Sequence, residues 1–288
     1  MKSHYLQNNF GCLPDEYSSK EKSAIVIIPA PYGGTLSYKT GANEGPNAII
    51  RASMNMELYD EELKKNTFEK GIHTLPEIEP DFSSPESMIK RVEEAASDVA
   101  GAGKLPVLLG GEHSISAGAV RALKQKFPAL SVLQIDAHTD LRESWEGTRH
   151  SHACVMKRIT ELCRAVQIGI RSTSEEEKEA VEKNRKNIFW AKDMKDSSWM
   201  DKAISRLSDD VYLTIDLDGL DPSIMPAVGT PEPGGIQWYP LLRFLKKLCE
   251  KKTIRGFDVV ELSPIPGNIS PDFLAAKLVY KIIGYMKE

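Results

Sequence analysis

Short apolar runs alternate along the chain with longer segments whose apolar residues recur at helical spacing. Several of the short runs are almost continuously apolar, which is typical of strands covered on both faces of a sheet. These runs predict strands at 24–28, 105–109, 131–135, 165–170, 188–191, 211–215 and 254–260. The longer segments predict helices at 85–102, 114–126, 175–186, 197–207 and 239–251, and one more from 270 to near the end of the chain.

The last predicted helix carries clear start signals. The Ser270 side chain can cap it, and Pro271 suits the first helical position. Alternation of strands and helices over the whole length predicts an α/β fold with a mostly parallel central sheet between layers of helices. No internal repeat, low-complexity tract or linker interrupts the alternation, so residues 1–288 are predicted to form a single domain.

The composition narrows the class of protein. Of the 288 residues, 41% are hydrophobic and 27% are charged, which excludes a disordered chain. The net charge of -4 and the pI near 6.0 argue against a nucleic-acid binder. The apolar runs are too short to span a membrane, and residues 1–22 lack the apolar core of a signal peptide. The four cysteines are scattered along the chain, which is typical of reduced thiols. We therefore expect a cytoplasmic protein without a membrane or nucleic-acid partner.

Polar residues follow three of the predicted strands at their carboxyl ends, where parallel sheets bind ligands. Strand 105–109 leads through two glycines to His113, strand 131–135 leads to DAHTD, and strand 211–215 leads to DLDGLD. In extended backbone, side chains two residues apart point the same way, so each acidic motif presents its polar residues on one face. Their burial would cost free energy unless a cation binds them. The candidate metal ligands are His113, Asp136, His138, Asp140, Asp216 and Asp218.

This ligand set indicates the kind of metal. Four carboxylates and two imidazoles without a cysteine are unlike a tetrahedral zinc site and suit Mn²⁺, with Fe²⁺, Co²⁺ or Ni²⁺ as alternatives. Six ligands exceed what one ion with an open position uses, so two ions bridged by shared aspartates account for them better. A solvated polar loop at 136–140 is the alternative interpretation, and Asp221 before Pro222 is expected to serve a turn.

The motifs resemble those of the ureohydrolases, a family that includes arginases, agmatinases and related guanidino-hydrolases. The resemblance rests on GANEGP at 41–46, GGEHS at 110–114, DAHTD at 136–140, SHA at 151–153, DLDGLDPSIMPAVGTPEPGG at 216–235 and DVVELSP at 258–264. The matches run in order from about Ile28 to the C-terminus. They imply the arginase-like fold, a three-layer α/β/α sandwich.

The resemblance also implies a site with two Mn²⁺ ions. One ion would be held by His113, Asp136, Asp140 and Asp216, and the other by Asp136, His138, Asp216 and Asp218. His152 matches the family's pocket histidine, which binds substrate and relays protons, and Glu261 matches the carboxylate that receives the guanidinium group. A metal-bridged hydroxide would attack the guanidinium carbon, and Asp140 would pass a proton to the leaving amine. The products are urea and an amine.

The segment 141–149 is expected to select the substrate. It lacks the Asn-and-Ser pattern with which arginases bind the α-carboxylate and α-amine of arginine, whereas DAHTDLR and SHA resemble agmatinases. The expected reaction is therefore hydrolysis of agmatine to putrescine and urea. Glu143 and Glu146 either favour the distal ammonium of agmatine or simply face solvent. The alternative substrates are arginine and guanidinobutyrate or another ω-guanidino acid, whose carboxylate Arg149 would bind.

Two pairs of residues depart from the family pattern beside the expected pocket. Ala227-Val228 replaces Gly-Thr, and Arg149-His150 precedes SHA, and both pairs are expected to lie beside the pocket. Alternatives from other classes are a catalytically silent relative that binds polyamines or a partner protein, and a zinc-dependent deacylase of the same architecture. The expected partner is a small cationic guanidino substrate, and the resemblance implies a homotrimer or homohexamer.

Overall fold

A sheet of parallel strands forms the centre of the fold. The structure is a computed structural model that describes residues 7–287, so the first six residues of the polar N-terminal segment lie outside the described residues. The strands are β1 (Ile25–Ala30), β2 (Tyr59–Asp60), β3 (Lys65–Asn66), β4 (Ile72–Thr74), β5 (Leu105–Gly110), β6 (Ser131–Ile135), β7 (Ala165–Ile170), β8 (Ile188–Trp190), β9 (Asp210–Asp216) and β10 (Thr253–Val260). Strands β2 and β3 form a separate antiparallel pair.

The helices connect these strands and cover both faces of the sheet. They are α1 (Asp15–Ser18), α2 (Gly45–Ser53), α3 (Pro85–Gly101), α4 (Ser116–Lys126), α5 (Val155–Leu162), α6 (Lys178–Asn184), α7 (Ser198–Ser205), α8 (Trp238–Lys251) and α9 (Ser270–Tyr285). Ile27, Leu109 and Ile215 belong to the core beneath α2, α7, α8 and α9. Ile28 and Leu108 belong to the core beneath α3, α4 and α5. This arrangement confirms the three-layer α/β/α sandwich, and among residues 7–287 no helix is long and apolar enough to cross a lipid bilayer.

The strand order decides which loops meet. The order in the sheet is β4-β1-β5-β10-β9-β6-β7-β8, and every neighbouring pair is parallel. Strands β5 and β6 follow one another along the chain but are separated in space by β10 and β9. The carboxyl ends of these four strands therefore lie side by side, at the position where open α/β sheets bind ligands.

Each strand predicted from an apolar run is found, with ends that agree within two residues. The edge strand β4 was not predicted because it is three residues long and only Ile72 of the three is buried. Helix α2 was missed because Gly45 and Pro46 stand at its start, and α5 because charged residues interrupt a short apolar pattern. The single-domain interpretation of residues 1–288 stays a prediction.

The predicted cap of the last helix is wrong in detail. Helix α9 begins at Ser270 itself, with Ile269 in the cap position and no side-chain cap bond. The backbone N–H of Ser270 instead donates to Oδ1 of Asn268 at 3.3 Å. Pro271 does lie in the first turn, where its missing N–H costs no helical hydrogen bond.

Candidate metal centre

The predicted ligands converge above the four central strands in two overlapping groups. In the first group, Nδ1 of His113 lies 3.1 Å from Oδ2 of Asp136, 3.3 Å from Oδ2 of Asp140 and 3.3 Å from Oδ2 of Asp216. In the second, Nδ1 of His138 lies 2.9 Å from Oδ2 of Asp218 and 3.6 Å from Oδ1 of Asp136. Asp136 thus turns one oxygen toward each imidazole, which is the geometry of a side chain shared between two cation sites.

Local backbone explains how one short segment serves both groups. Asp136 directly follows β6, and Asp218 lies two residues beyond the end of β9. The N–H of Ala137 donates to Oδ1 of Asp218 at 3.0 Å. The N–H of Asp218 donates to Oδ1 of Asp216 at 2.9 Å. These bonds hold each carboxylate by one oxygen and leave the other directed at an imidazole. The alternative of a solvated polar loop at 136–140 is wrong, because both aspartates of that motif are buried.

A buried hydrogen-bond chain orients the His113 ring. Its Nε2 lies 2.8 Å from Oγ1 of Thr214, whose hydroxyl donates to Oδ1 of Asp258 at 2.7 Å. Because that hydroxyl proton is committed to Asp258, His113 is the donor at Nε2, which leaves the Nδ1 lone pair facing the carboxylates. Nδ1 has no hydrogen-bond partner among the described residues although it is buried. Metal-binding histidines are oriented in this way, so the site fits a metal ion.

The electrostatics of the cluster also favour a cation. Burial, reinforced by the charge of Asp136, raises the pKa of Asp140 to about 7. Burial, together with the charges of Asp218 and Asp136, raises the pKa of Asp216 as well. Burial opposes a charge on His138, but Asp218 and Asp136 raise its pKa to about 12. All three pKa shifts show that positive charge stabilises these crowded carboxylates. A divalent cation supplies more positive charge than a proton does.

Two of the predicted site residues have strained backbone. Asp140 has a φ of 50° and Glu261 a φ of 66°, in the left-handed region that residues other than glycine rarely adopt. Glu261 is held there because its N–H donates to the carbonyl of Gly111 at 2.8 Å and its Oε1 accepts the N–H of His113 at 2.6 Å. A Cβ on Gly111 would lie 1.8 Å from the carbonyl oxygen of Tyr32, which explains the second glycine of GGEHS. Such strain concentrates at functional sites.

A pocket of about 230 Å³ opens over the cluster. Its floor is formed by His113, His138, Asp140, Asp216, Asp218 and Glu261, and its walls include His152, Arg142, Trp145 and residues 36–39. Burial lowers the pKa of His152 to about 4. Its imidazole is therefore neutral near pH 7 and able to accept a proton. All the predicted site residues thus lie in or directly beneath one cavity.

Known proteins resemble this chain over nearly its whole length. A model of the Arginase family matches residues 23–284. The chain belongs to the arginase family. It is 38% identical to an N(1)-aminopropylagmatine ureohydrolase from Synechocystis sp., over 98% of this chain and 97% of that protein, and 36% identical to an agmatinase from Pyrococcus horikoshii, over 90% of each. The crystal structure of agmatine ureohydrolase of Thermoplasma volcanium is 35% identical and superposes with a TM-score of 0.88, covering 98% of this chain and 95% of that one.

Membership of the arginase family confirms the predicted resemblance and the enzyme class. The chain is a metal-dependent ureohydrolase of agmatinase-like type, which acts on guanidino C–N bonds. The His/Asp groups described above are side chains that could hold the metal. The family match begins close to β1 and ends within α9, so it spans all the strands that carry the site.

Several residues expected to select the substrate lie elsewhere. Glu143 pairs with Arg149 at 2.6 Å and with Arg158 at 3.1 Å, so its charge is neutralised outside the pocket. Arg149 likewise does not line the pocket. Ala227 and Val228 are buried in the core, where Ala227 O accepts the N–H of Ser263. Neither departure from the arginase-family pattern lines the pocket, because these side chains pack or pair with protein instead.

The expected turn role of Asp221 is confirmed. Its Oδ1 accepts the N–H and hydroxyl of Ser223, and its Oδ2 accepts the N–H groups of Gly234 and Gly235 at 3.0 Å. Arg171 joins the same two loops, because its guanidinium donates to the carbonyls of Asp218 at 2.6 Å and Glu232 at 2.8 Å. These contacts fix the loop that carries Asp218.

Sequence reasoning missed the side chains that support the ligands. Gln134 on β6 donates to Oδ2 of Asp136 at 2.6 Å, and Gln167 on β7 donates to Oε1 of Gln134. Thr214, two positions before the end of the apolar strand β9, gave no signal that distinguished it from a core residue. The only available signal was alternation: Gln134, Asp136 and His138 share one side of the extended chain.

Proposed function

We propose that this chain is a binuclear manganese enzyme that hydrolyses the guanidino group of agmatine or of its N(1)-aminopropyl derivative to urea and an amine. The observation that carries the proposal is the pair of His/Asp groups joined by Asp136 at the floor of a pocket that also holds Glu261. The proposed ligands are His113, Asp136, Asp140 and Asp216 for one ion, and Asp136, His138, Asp216 and Asp218 for the other.

The charge of the pocket supports a cationic substrate. Four aspartates balance two divalent cations, and the carboxylate of Glu261 adds a negative charge that matches a planar guanidinium group. Two divalent cations held by these ligands would supply the activation of water that hydrolysis needs. Glu261, held by the N–H of His113, orients the guanidinium group over the cluster.

The residues of the pocket supply the proton transfers. Asp140 lies at the floor within the first group, so its carboxylate can take a proton from the attacking water and give it to the departing amine. The neutral imidazole of His152 in the pocket wall can exchange protons between the reacting groups and solvent. Protonation of the nitrogen is required because an amine is a poor leaving group.

The names of the relatives support an amine-bearing substrate. Proteins 36–38% identical to this chain are named agmatinase and N(1)-aminopropylagmatine ureohydrolase. At the pocket wall, Arg142 stacks 4.2 Å from the ring centroid of Trp145 and pairs with Glu176 at 2.5 Å, so its charge is compensated before a cationic chain enters. The homotrimer or homohexamer and the cytoplasmic location stay predictions.

A substrate panel tests this proposal. Urea release by the Mn²⁺-supplemented enzyme is measured with agmatine, N(1)-aminopropylagmatine, guanidinobutyrate and arginine. We expect kcat/KM for one of the two amines to exceed that for either acid by at least about 100-fold, which corresponds to roughly 2.7 kcal/mol. A preference for guanidinobutyrate or arginine would contradict the substrate class. No urea from any compound would support the silent relative, and release of an acyl group from acetylated amines would support the deacylase.

A further inference from the structure

Glu112 connects a distant loop to the segment that carries the predicted ligand His113. No ligand role explains this charged residue of GGEHS. It is fully buried. Its Oε2 accepts the N–H of Thr35 at 2.6 Å, and its Oε1 accepts the hydroxyls of Thr35 and Ser114, each at 2.6 Å. All of these partners donate, so the carboxylate is satisfied as an acceptor. The loop that carries Thr35 is therefore anchored beside His113, although 77 positions separate Thr35 from Glu112 in the chain.

The same threonine contacts the pocket histidine. Oγ1 of Thr35 lies 3.2 Å from Nδ1 of His152 and 3.2 Å from its backbone nitrogen. Because Thr35 has a single hydroxyl proton and donates it to Glu112, its oxygen can only accept from His152. The ring nitrogen that faces it must therefore carry a hydrogen. On the other side of the ring, Oγ of Ser37 lies 3.3 Å from Nε2 and is free to donate.

We propose that Glu112, acting through Thr35, holds His152 in the Nδ1–H tautomer, so that Nε2 is the nitrogen that exchanges protons in the pocket. Glu112 and Thr35 are positioning residues, since they act through His152. The arrangement repeats the logic of a base oriented by a third group, in which the orienting acceptor decides both the tautomer and the direction of the ring. The catalytic consequence rests on the proposed function, whereas the tautomer is a property of the protein itself.

The tautomer can be measured without turnover. The full-length protein, labelled with ¹⁵N-histidine and loaded with diamagnetic Zn²⁺ in place of Mn²⁺, is studied by NMR at neutral pH, and the His152 signals are assigned by their loss in His152→Ala. We expect an N–H type shift at Nδ1 and an unprotonated shift at Nε2 of His152. The reverse pattern in the wild-type protein would overturn the proposal, and this outcome does not depend on any variant folding.

Variants of Thr35 connect the tautomer to catalysis. Thr35→Val keeps the shape of the side chain but removes the hydroxyl, so we expect the Nε2–H tautomer of His152 to become populated. We expect kcat to fall about 10- to 100-fold while KM stays within a few-fold of the wild-type value. This loss is a part of the roughly 10²–10⁴-fold that general acid–base catalysis contributes. Thr35→Ser restores the hydroxyl and is expected to restore both the shifts and kcat. Glu112→Gln tests the same chain from its other end and should also mix the tautomers.

The outcomes separate this inference from the proposed function. If wild-type protein releases no urea from any guanidino compound, the proposed function fails, yet the NMR shifts still decide the tautomer. If Thr35→Val retains the wild-type shifts and kcat, Glu112 and Thr35 merely anchor the loop and the inference is wrong. Thermal unfolding of each variant distinguishes loss of fold from loss of orientation.

Discussion

Asp136 is the residue on which the two groups depend, because its two oxygens face two different imidazoles. Its Oδ2 lies near His113 and its Oδ1 near His138, and the side chain is fully buried. An amide at this position would present a neutral oxygen on one side and an N–H donor on the other. An N–H group repels a cation, so the substitution is expected to disable one site and weaken the other.

We therefore predict that Asp136→Asn lowers urea formation by at least about 100-fold and reduces bound Mn²⁺ to one ion or fewer, since even residues behind the ligands commonly change affinity or activity 10- to 100-fold. Metal analysis and a urea assay provide the measurements. Asp196→Asn, an exposed aspartate whose carboxylate bonds to Ser198, is the matched control and should change neither. Activity of Asp136→Asn within a few-fold of wild type would contradict the shared role.

At the scale of elements, the register between two central strands sets the orientation of His113. Asp258 on β10 lies directly opposite Thr214 on β9 and accepts its hydroxyl hydrogen, while Thr214 accepts the Nε2 hydrogen of His113 from the turn that follows β5. Because all three strands are buried and parallel, a shift of one residue would move these groups to the opposite face of the sheet. The sheet thus acts as the rigid support of the ligands.

Substitution at Thr214 tests this support. Thr214→Val preserves a β-branched side chain in the strand but leaves Nε2 of His113 without an acceptor, so we predict that the affinity for Mn²⁺ falls about 10- to 100-fold. Thr214→Ser keeps the hydroxyl and is expected to bind Mn²⁺ nearly as the wild type does. Titration calorimetry on metal-stripped protein measures both affinities. Equal affinities for the valine and wild-type proteins would show that the strand pair does not orient the ligand.

At the scale of the whole molecule, the metal cluster makes stability depend on pH. Burial raises the pKa of Asp140 to about 7, and burial with the charge of Glu112 raises that of Glu261 to about 8. The folded metal-free chain therefore holds protons that the unfolded chain has released. Its stability falls as pH rises from the unfolded carboxyl pKa of about 4 through these folded values. His138, whose pKa is raised to about 12 by Asp218 and Asp136 against the effect of burial, works in the same direction above its unfolded value of about 6.5.

Divalent cations replace these protons, so their stabilising effect should grow with pH. We predict that the difference in Tm between Mn²⁺-loaded and chelator-treated protein is larger at pH 8 than at pH 6. At 100 times Kd, each ion is expected to contribute about 2.7 kcal/mol, enough to raise Tm by several degrees in a protein of this size. Differential scanning fluorimetry over this pH range checks the trend. A Tm difference that does not change with pH would argue against proton displacement at this cluster.

The amino-acid sequence determined the parts of this protein that depend on neighbours in the chain. Near-continuous apolar runs specify buried strands whatever their order in the sheet, so β6 and β7 were predicted to the residue. The spacing of Asp136, His138 and Asp140 after β6 indicated a cation site, although the backbone is not extended throughout, since Asp140 has a φ of 50°. Family motifs then supplied the expected roles of His152 and Glu261, which spacing alone does not provide.

The tertiary structure decided everything that depends on contact between distant segments. Thr35 meets His152 across 117 positions, and Thr214 meets His113 across 101, so neither contact leaves a local pattern. Within the segment 141–149, too, only the tertiary structure decides which side chains line the pocket. Arg142 lines it, whereas the neighbouring Glu143 pairs with Arg158 instead. Side-chain periodicity predicts which residues share one face of a helix or strand. Only the packing of these elements determines which residues that face contacts.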